Sequence, residues 1–232
     1  MTSERRQIAV LGTGDAPDGL PAVPDPIVQA AQHSQPEIME VPGAVFPLDT
    51  SSRKICEGAY VTAAGSAATQ GYAGAYINTV GDYGLAALRQ SGPITVTGAG
   101  EGSIRTALST HQRFAIVTIW PPQMRFIYDA VLGFCDADNQ CVGIHHLSDD
   151  EALATLAEPD NFVQQMRGCA LTSISQIENA CRAALTREGA EVIILGCTCM
   201  APTAAMLEDR GIPLIEPMAA GYRYLEQLLR GA

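Results

Sequence analysis

The sequence predicts an α/β fold of two similar lobes, each built on a parallel sheet and facing the other across one cleft. Three observations carry this. Short apolar runs alternate with helix-patterned segments along the whole chain, which implies parallel strands joined by right-handed crossovers. The run Val192, Ile193, Ile194, Leu195 is unbroken and rich in β-branched residues, as a strand buried on both faces would be. A strand-to-loop switch of one kind occurs twice, at Asn78-Thr79 and at Gly196-Cys197, about half the chain apart. Residues 1–97 and 213–232 are assigned to the first lobe and 98–212 to the second.

Each element follows from pattern and punctuation. Gln7 to Leu11 reads as the first strand, closed by Gly12-Thr13-Gly14. GTGDAP is not a dinucleotide fingerprint, because Pro17 stands where the third glycine should be. The Pro-, Gly- and Asp-rich stretch 15–25 is loop. A short helix over 26–32 and a strand over 37–41 follow, then a helix over 51–70 weakened by Gly58 and Gly65. Tyr72 to Asn78 is the next buried strand, and Tyr83 to Gln90 a helix stopped by Ser91-Gly92-Pro93. Ile94 to Val96 is a short strand, with a glycine-rich turn, 98–102, opening a helix over 103–109.

The second half repeats the plan. Strands are expected over 113–118, 140–145, 192–195 and 213–215, and helices over 123–132, 149–156, 161–188, 201–209 and 218–229.

Composition limits the function classes. At 47% hydrophobic and 17% charged residues, the 232-residue chain can bury a sizeable core. The formal net charge of -11 argues against nucleic acid or an anionic membrane surface as partner. An anionic or carbonyl-bearing small substrate stays open, since a pocket need not share the global sign, and a homo-oligomer is allowed. No secretory leader pattern opens the chain, and no apolar run reaches the roughly 18 residues a membrane span needs. The seven cysteines lack a disulfide-scaffold rhythm, so a reducing cytoplasm with free thiols is expected. One residue separates Cys197 from Cys199 and all four histidines are distant in sequence, which argues against a metal site.

Cys197 is the candidate reactive group. Ligands of open α/β sheets bind beyond the carboxyl ends of the strands, and a helix N-terminus there favours a thiolate. The plainer alternative is a small buried hydrophobe. Cys56, Cys135, Cys141, Cys169 and Cys181 fall in predicted helices or a strand and are read as structural.

Three blocks carry a family resemblance. GAEVIILGCTCMAP with GIPLIEPMAAGYRYLEQLL resembles the carboxyl-terminal signature of the aspartate/glutamate/hydantoin racemase superfamily. GAYINTVGDYGLAALRQ resembles the first-lobe signature of its hydantoin and allantoin racemase branch, and RFAIVTIWPP stands in the place of its middle strand. The resemblance runs from about residue 7 to 229. It implies two flavodoxin-like lobes, no cofactor, and one thiol from each lobe acting on opposite faces of a carbon acid. Matching the Gly81-Asp82 turn puts Thr79 in the place of the first cysteine, and matching on Asn-Thr puts Ile77 there; neither is a thiol. Thr79 is preferred, because Gly81-Asp82 and Gly84-Leu85 then match without a gap.

The chemistry explains a pair of groups. Taking a proton from a carbon beside a carbonyl and returning it on the other face needs a base and an acid that can exchange roles. The enolate oxygens need fixed donors such as backbone N–H groups and hydroxyls. The expected activity is a cofactor-independent racemase or isomerase acting on a hydantoin, an amino acid or a related carboxylate. Cys197 is its main acid/base and Thr79 its partner; Thr13, Asn78, Val80, Thr118, Trp120 and Thr198 contact the substrate.

Two alternatives stand beside it. One is an arylmalonate-type decarboxylase, in which Cys197 alone protonates the enolate left by CO₂. The other is a non-catalytic small-ligand binding protein. Among the supporting residues, helix capping competes with substrate contact for Thr13, Thr118 and Thr198, and core packing does so for Trp120. His145-His146 is a candidate base or a strand-end surface pair. Glu216-Pro217 marks a pocket edge or a structural turn.

Overall fold

A computed structural model describes residues 5–12, 22–151 and 174–231. The chain divides into two compact units, one formed by residues up to Gly102 with those from Met218 on, the other by Ser103–Pro217. Each contains one four-stranded parallel sheet, in agreement with the α/β class and the flavodoxin-like lobes expected from the sequence.

The first unit holds β1 (Arg6–Leu11), α1 (Asp25–Ala30), β2 (Ser34–Met39), α2 (Thr50–Thr69), β3 (Gly74–Ile77), α3 (Leu85–Ser91), β4 (Thr95–Gly98) and the start of α4 (Ala99–Thr110). Its sheet order is β2-β1-β3-β4. Reversal of the order between β1 and β3 makes their carboxyl ends a topological switch point. Ile8, Ala9, Val10, Leu11, Tyr76 and Ile77 are wholly buried there, which is why these strands read as apolar runs. β2 begins earlier than the sequence suggests and contains Pro36, tolerated because β2 is an edge strand.

α2 is uninterrupted despite Gly58 and Gly65. Asp49 caps it reciprocally: the Ser52 N–H donates to Asp49 Oδ1 at 2.7 Å and the Asp49 N–H to Ser52 Oγ at 3.0 Å. The turn expected over 98–102 is instead helix from Ala99. Its glycines serve close approach: a Cβ at Gly102 would run into the Gly221 backbone, and one at Gly98 into the Asp82 carboxylate.

The second unit holds β5 (Phe114–Thr118), a 3₁₀ turn (Pro122–Met124), α5 (Phe126–Cys135), β6 (Cys141–His146), α6 (Ile174–Arg187), β7 (Val192–Leu195), a second 3₁₀ turn (Thr198–Met200), α7 (Ala201–Glu208) and β8 (Leu214–Ile215). Its sheet order, β6-β5-β7-β8, repeats the topology of the first, with the switch point between β5 and β7. β8 pairs with β7, so the chain returns to the first unit at Met218 rather than at residue 213. The helices expected over 149–156 and the first part of 161–188 fall largely outside the described residues.

The final helix, α8 (Pro217–Gly231), closes the first unit. Tyr222 is wholly buried and meets Tyr76 edge-on at 5.7 Å between ring centroids. Glu226, only 4% exposed, accepts from the Ser34 hydroxyl (2.6 Å), the His33 N–H (2.9 Å) and the Gln32 N–H (3.2 Å). Burial pushes its carboxyl up, but the donors around it outweigh burial and hold its pKa below the ordinary 4.5. A lowered carboxylate pKa contributes stability that is complete above the unfolded value and lost as pH falls through the folded one. Glu226→Ala is therefore expected to cost about 1–3 kcal/mol in urea unfolding at neutral pH, since it takes the carboxylate acceptor from the buried Ser34 hydroxyl and from two backbone N–H groups. The gap between the variant and the parent should close as the pH drops below 4.5.

Candidate functional site

In the second unit the switch point is built around Gly196. Its N–H donates to Val117 O at 2.7 Å, and a Cβ on it would stand 2.6 Å from Thr118 Cβ and 2.9 Å from Ile116 Cγ2. Only glycine fits. The chain is extended at Cys197 (φ -144°, ψ 138°) and then enters the 3₁₀ turn, where the Met200 N–H donates to Cys197 O at 3.0 Å. The Cys199 N–H donates to Cys197 Sγ at 3.2 Å. Pro202 sits in the first turn of α7, where its missing N–H costs nothing.

Cys197 is 6% exposed. Its sulfur is joined to that of Cys199 in a disulfide, which corrects the expectation that every thiol is free. The extended residue followed by a tight turn carries residue i+2 back over residue i, a geometry that the spacing argument against zinc does not address. Cys56, Cys135 and Cys181 are buried and outside any disulfide, as is the half-buried Cys141; Cys169 lies outside the described residues. Burial pushes Cys56 and Cys141 up to about 11 and Cys181 up to about 12. None of these three is poised to ionise near neutrality.

Thr118 is fully buried. The Trp120 N–H donates to its Oγ1 at 3.2 Å, and its hydroxyl lies 2.5 Å from that of Tyr128, which donates to Gly196 O at 2.8 Å. Tyr128 spends its proton on the carbonyl, so Thr118 must donate to Tyr128. The chain of bonds ends on the peptide that carries Cys197. Sequence reasoning missed Tyr128; its signal was a phenol on the apolar stripe of α5, which needs a partner when buried. Trp120 is buried at 7% exposure and Thr198 is half-buried within the 3₁₀ turn.

The two histidines diverge, as alternate residues of a strand must. His145 Nε2 meets Glu188 Oε2 at 3.0 Å. The His146 Nδ1–H donates to Trp120 O at 2.9 Å, leaving Nε2 as a buried lone pair with no partner among the described residues. Burial lowers the pKa of His146 below 6.5, against the pull of the Trp120 carbonyl.

In the first unit, the Asn78 N–H donates to Leu11 O at 2.9 Å across the switch point. Asn78 is 9% exposed, and its Oδ1 and the Thr79 Oγ1 are buried with no hydrogen-bond partner among the described residues. Ile77 is wholly buried within β3, Val80 is buried, and Thr79 is half-buried beyond the strand end. Asp82 is left-handed at φ 44°, and its carboxylate accepts from the Gly100 N–H at 2.9 Å and the Glu101 N–H at 2.5 Å. Burial pushes its pKa well above the ordinary value, against those two bonds. Thr13 lies outside the described residues.

The sequence model of the Asp/Glu/Hydantoin racemase family matches residues 28–225. The chain belongs to this family. Among its curated relatives is a hydantoin racemase of Paenarthrobacter aurescens, 28% identical over 150 residues, which cover 64% of this chain and 58% of that protein. The chain thus aligns with less than two thirds of the length of that relative. Solved structures with the same fold include an allantoin racemase from Klebsiella pneumoniae (TM-score 0.72, 24% identity, covering 97% of this chain and 88% of the other). An arylmalonate decarboxylase also shares it (TM-score 0.62, 16% identity, 97% and 93% covered). Among the described residues, no helix of this family member is long and apolar enough to cross a membrane.

The contact at Gly196 sets an expectation of its own. Gly196→Ala should lower unfolding free energy by about 1–3 kcal/mol through overpacking. Tyr128→Phe, which removes both the buried bond to the Gly196 carbonyl and the acceptor of the Thr118 hydroxyl, should cost about 1–3 kcal/mol. Urea denaturation of both variants checks the two; an alanine variant as stable as the parent would contradict the packing argument.

Proposed function

We propose that the protein is a cofactor-independent racemase or isomerase of a carbon acid such as a hydantoin, an amino acid or a related carboxylate, with Cys197 as its main acid/base. The carrying observation is Cys197 itself: a cysteine at the carboxyl end of a buried strand, at the sheet's switch point, with a backbone N–H directed at its sulfur. Such an N–H favours a thiolate. In the dithiol form, the Cys197 thiolate would remove the proton beside the carbonyl, and the enolate would take a proton back on the other face. Thr79 orients or relays on that second face. Asn78, Val80, Thr13, Thr118, Trp120 and Thr198 form the proposed substrate-binding set. Among these, Thr118 acts through its buried bond to Tyr128, whereas Asn78 offers an amide oxygen with no partner among the described residues.

One observation favours a second reading. The end of β3 carries Thr79 and no thiol, and a hydroxyl is a far poorer base than a thiol of ordinary pKa about 8.5. A decarboxylase of the arylmalonate type needs no opposing base, since Cys197 alone would protonate the enolate after CO₂ leaves.

The test is α-proton exchange in D₂O, followed by NMR for each enantiomer of hydantoins and amino acids, with CO₂ release measured from substituted malonates. Cys197→Ser is expected to lose at least ~10²-fold in rate, the lower range for a positioned acid or base. Thr79→Ala should slow racemisation with substrate affinity roughly intact, and Thr79→Cys should raise it. Near-normal turnover of reduced Cys197→Ser would sink the assignment. CO₂ release without racemisation would establish the second reading, and binding without either reaction would make the protein a ligand sensor.

A further inference from the structure

Cys197 and Cys199 have a chemistry that proton transfer does not use. Their Cα atoms are 5.2 Å apart and their sulfurs are bonded. The 3₁₀ turn that begins at Thr198 brings them together, and Cys199 is the half-buried member while Cys197 is buried. We propose that the pair is a reversible oxidation site, at which a low-molecular-weight disulfide converts the dithiol into the Cys197–Cys199 disulfide and silences Cys197. The silencing, though not the oxidation, rests on the acid/base role assigned above.

The step balances. The more accessible Cys199 thiol ionises and attacks the reagent disulfide, forming a mixed disulfide and expelling one reagent thiolate, which takes up the proton. The Cys197 thiolate then displaces the second reagent thiol from Cys199. Two protein S–H bonds and one reagent S–S bond break; one protein S–S bond and two reagent S–H bonds form. The protein loses two electrons and the reagent gains them. A disulfide sulfur carries no proton and is not a usable base, so Cys197 drops out of any proton transfer while the bond lasts. Competing thiols are poorly placed: burial raises the pKa of Cys56, Cys141 and Cys181, keeping them protonated near neutral pH.

The fragment that trypsin cuts from Glu188 to Arg210 contains Cys197 and Cys199 and no other cysteine. The full chain is incubated with oxidised glutathione, desalted, denatured, alkylated and digested. The expected fragment is unalkylated and lighter than the dithiol by two hydrogens, and dithiothreitol treatment restores two alkylation sites. α-Proton exchange by the oxidised protein should fall at least ~10²-fold, as for loss of a positioned acid or base, and recover on reduction. In Cys199→Ala the fragment should show no internal link. Alkylation of both cysteines after oxidation, or glutathione retained on either, overturns the proposal whatever the activity. A complete link with unchanged exchange overturns it as well. Cys197→Ser assayed under reducing conditions separates the two claims, because normal turnover there removes the acid/base role and leaves the link to be judged by mass alone.

Discussion

The close approach of β7 to β5 at Gly196 is the constraint on which the second unit's site depends. With no Cβ to hold the strands apart, the Gly196 N–H reaches Val117 O at 2.7 Å and the peptide lies against the Thr118 side chain. The next carbonyl is taken by Tyr128, whose own oxygen is taken by Thr118, so the polar groups at the strand end are paired without water. A buried turn left with orphan carbonyls would rearrange. Because this one is satisfied, the chain can leave the sheet extended at Cys197 and tighten at once into the 3₁₀ turn. The position of the sulfur is thus a consequence of packing one residue earlier.

The first unit holds its own strand end by a different device. Asp82 is buried, and its carboxylate sits on the N–H groups of Gly100 and Glu101 at the start of α4. The partial positive charge of a helix N-terminus and two donors work against the cost of burial without cancelling it, so the Asp82 pKa stays well above the ordinary value. Gly98 leaves room for it, since a Cβ there would collide with the carboxylate. Glu101 is buried beside it but answered separately, by Arg89 at 2.6 Å and Thr97 at 2.7 Å. The Gly81-Asp82 pair that looks like a family signature in sequence is, in this structure, the anchor of the turn after β3. Its carboxylate is occupied by backbone and is not free to meet a substrate.

Legibility in the sequence followed the range of the forces involved. β7 was plain because a strand buried on both faces must be an unbroken apolar run. The start of α4 was not, because Gly98, Gly100 and Gly102 suggest a turn by local propensity, and only the distant Gly221 backbone explains why small residues are needed inside a helix. Strand β8 was legible as a strand, but its pairing with β7 was not, since nothing in two or three residues names a partner. At the site, Cys197 was legible from strand-end logic. Tyr128 was not, because its hydroxyl reaches a carbonyl 68 residues away in sequence. The Cys197–Cys199 bond escaped because spacing was weighed against metal coordination, while the decisive fact is the conformation between the two residues.

The two strand ends differ in what they can ask of a substrate. At β7 the sulfur has a backbone donor, which in the dithiol form would favour negative charge on it and so suit proton abstraction. At β3 the buried Asn78 Oδ1 and Thr79 Oγ1 have no partner among the described residues. A buried acceptor and a buried hydroxyl left unpaired cost free energy, which a ligand bearing an N–H and a carbonyl would recover. Hydantoins and amides carry both groups on adjacent atoms; a plain carboxylate offers no donor to the amide oxygen. Under the proposed function, the Asn78 oxygen is a recognition group and the Cys197 sulfur is a proton-transfer group. A thiol at position 79 would place a second ionisable group at the end of β3, while the Asn78 amide oxygen, left in place, would keep the contact with the ligand's donor.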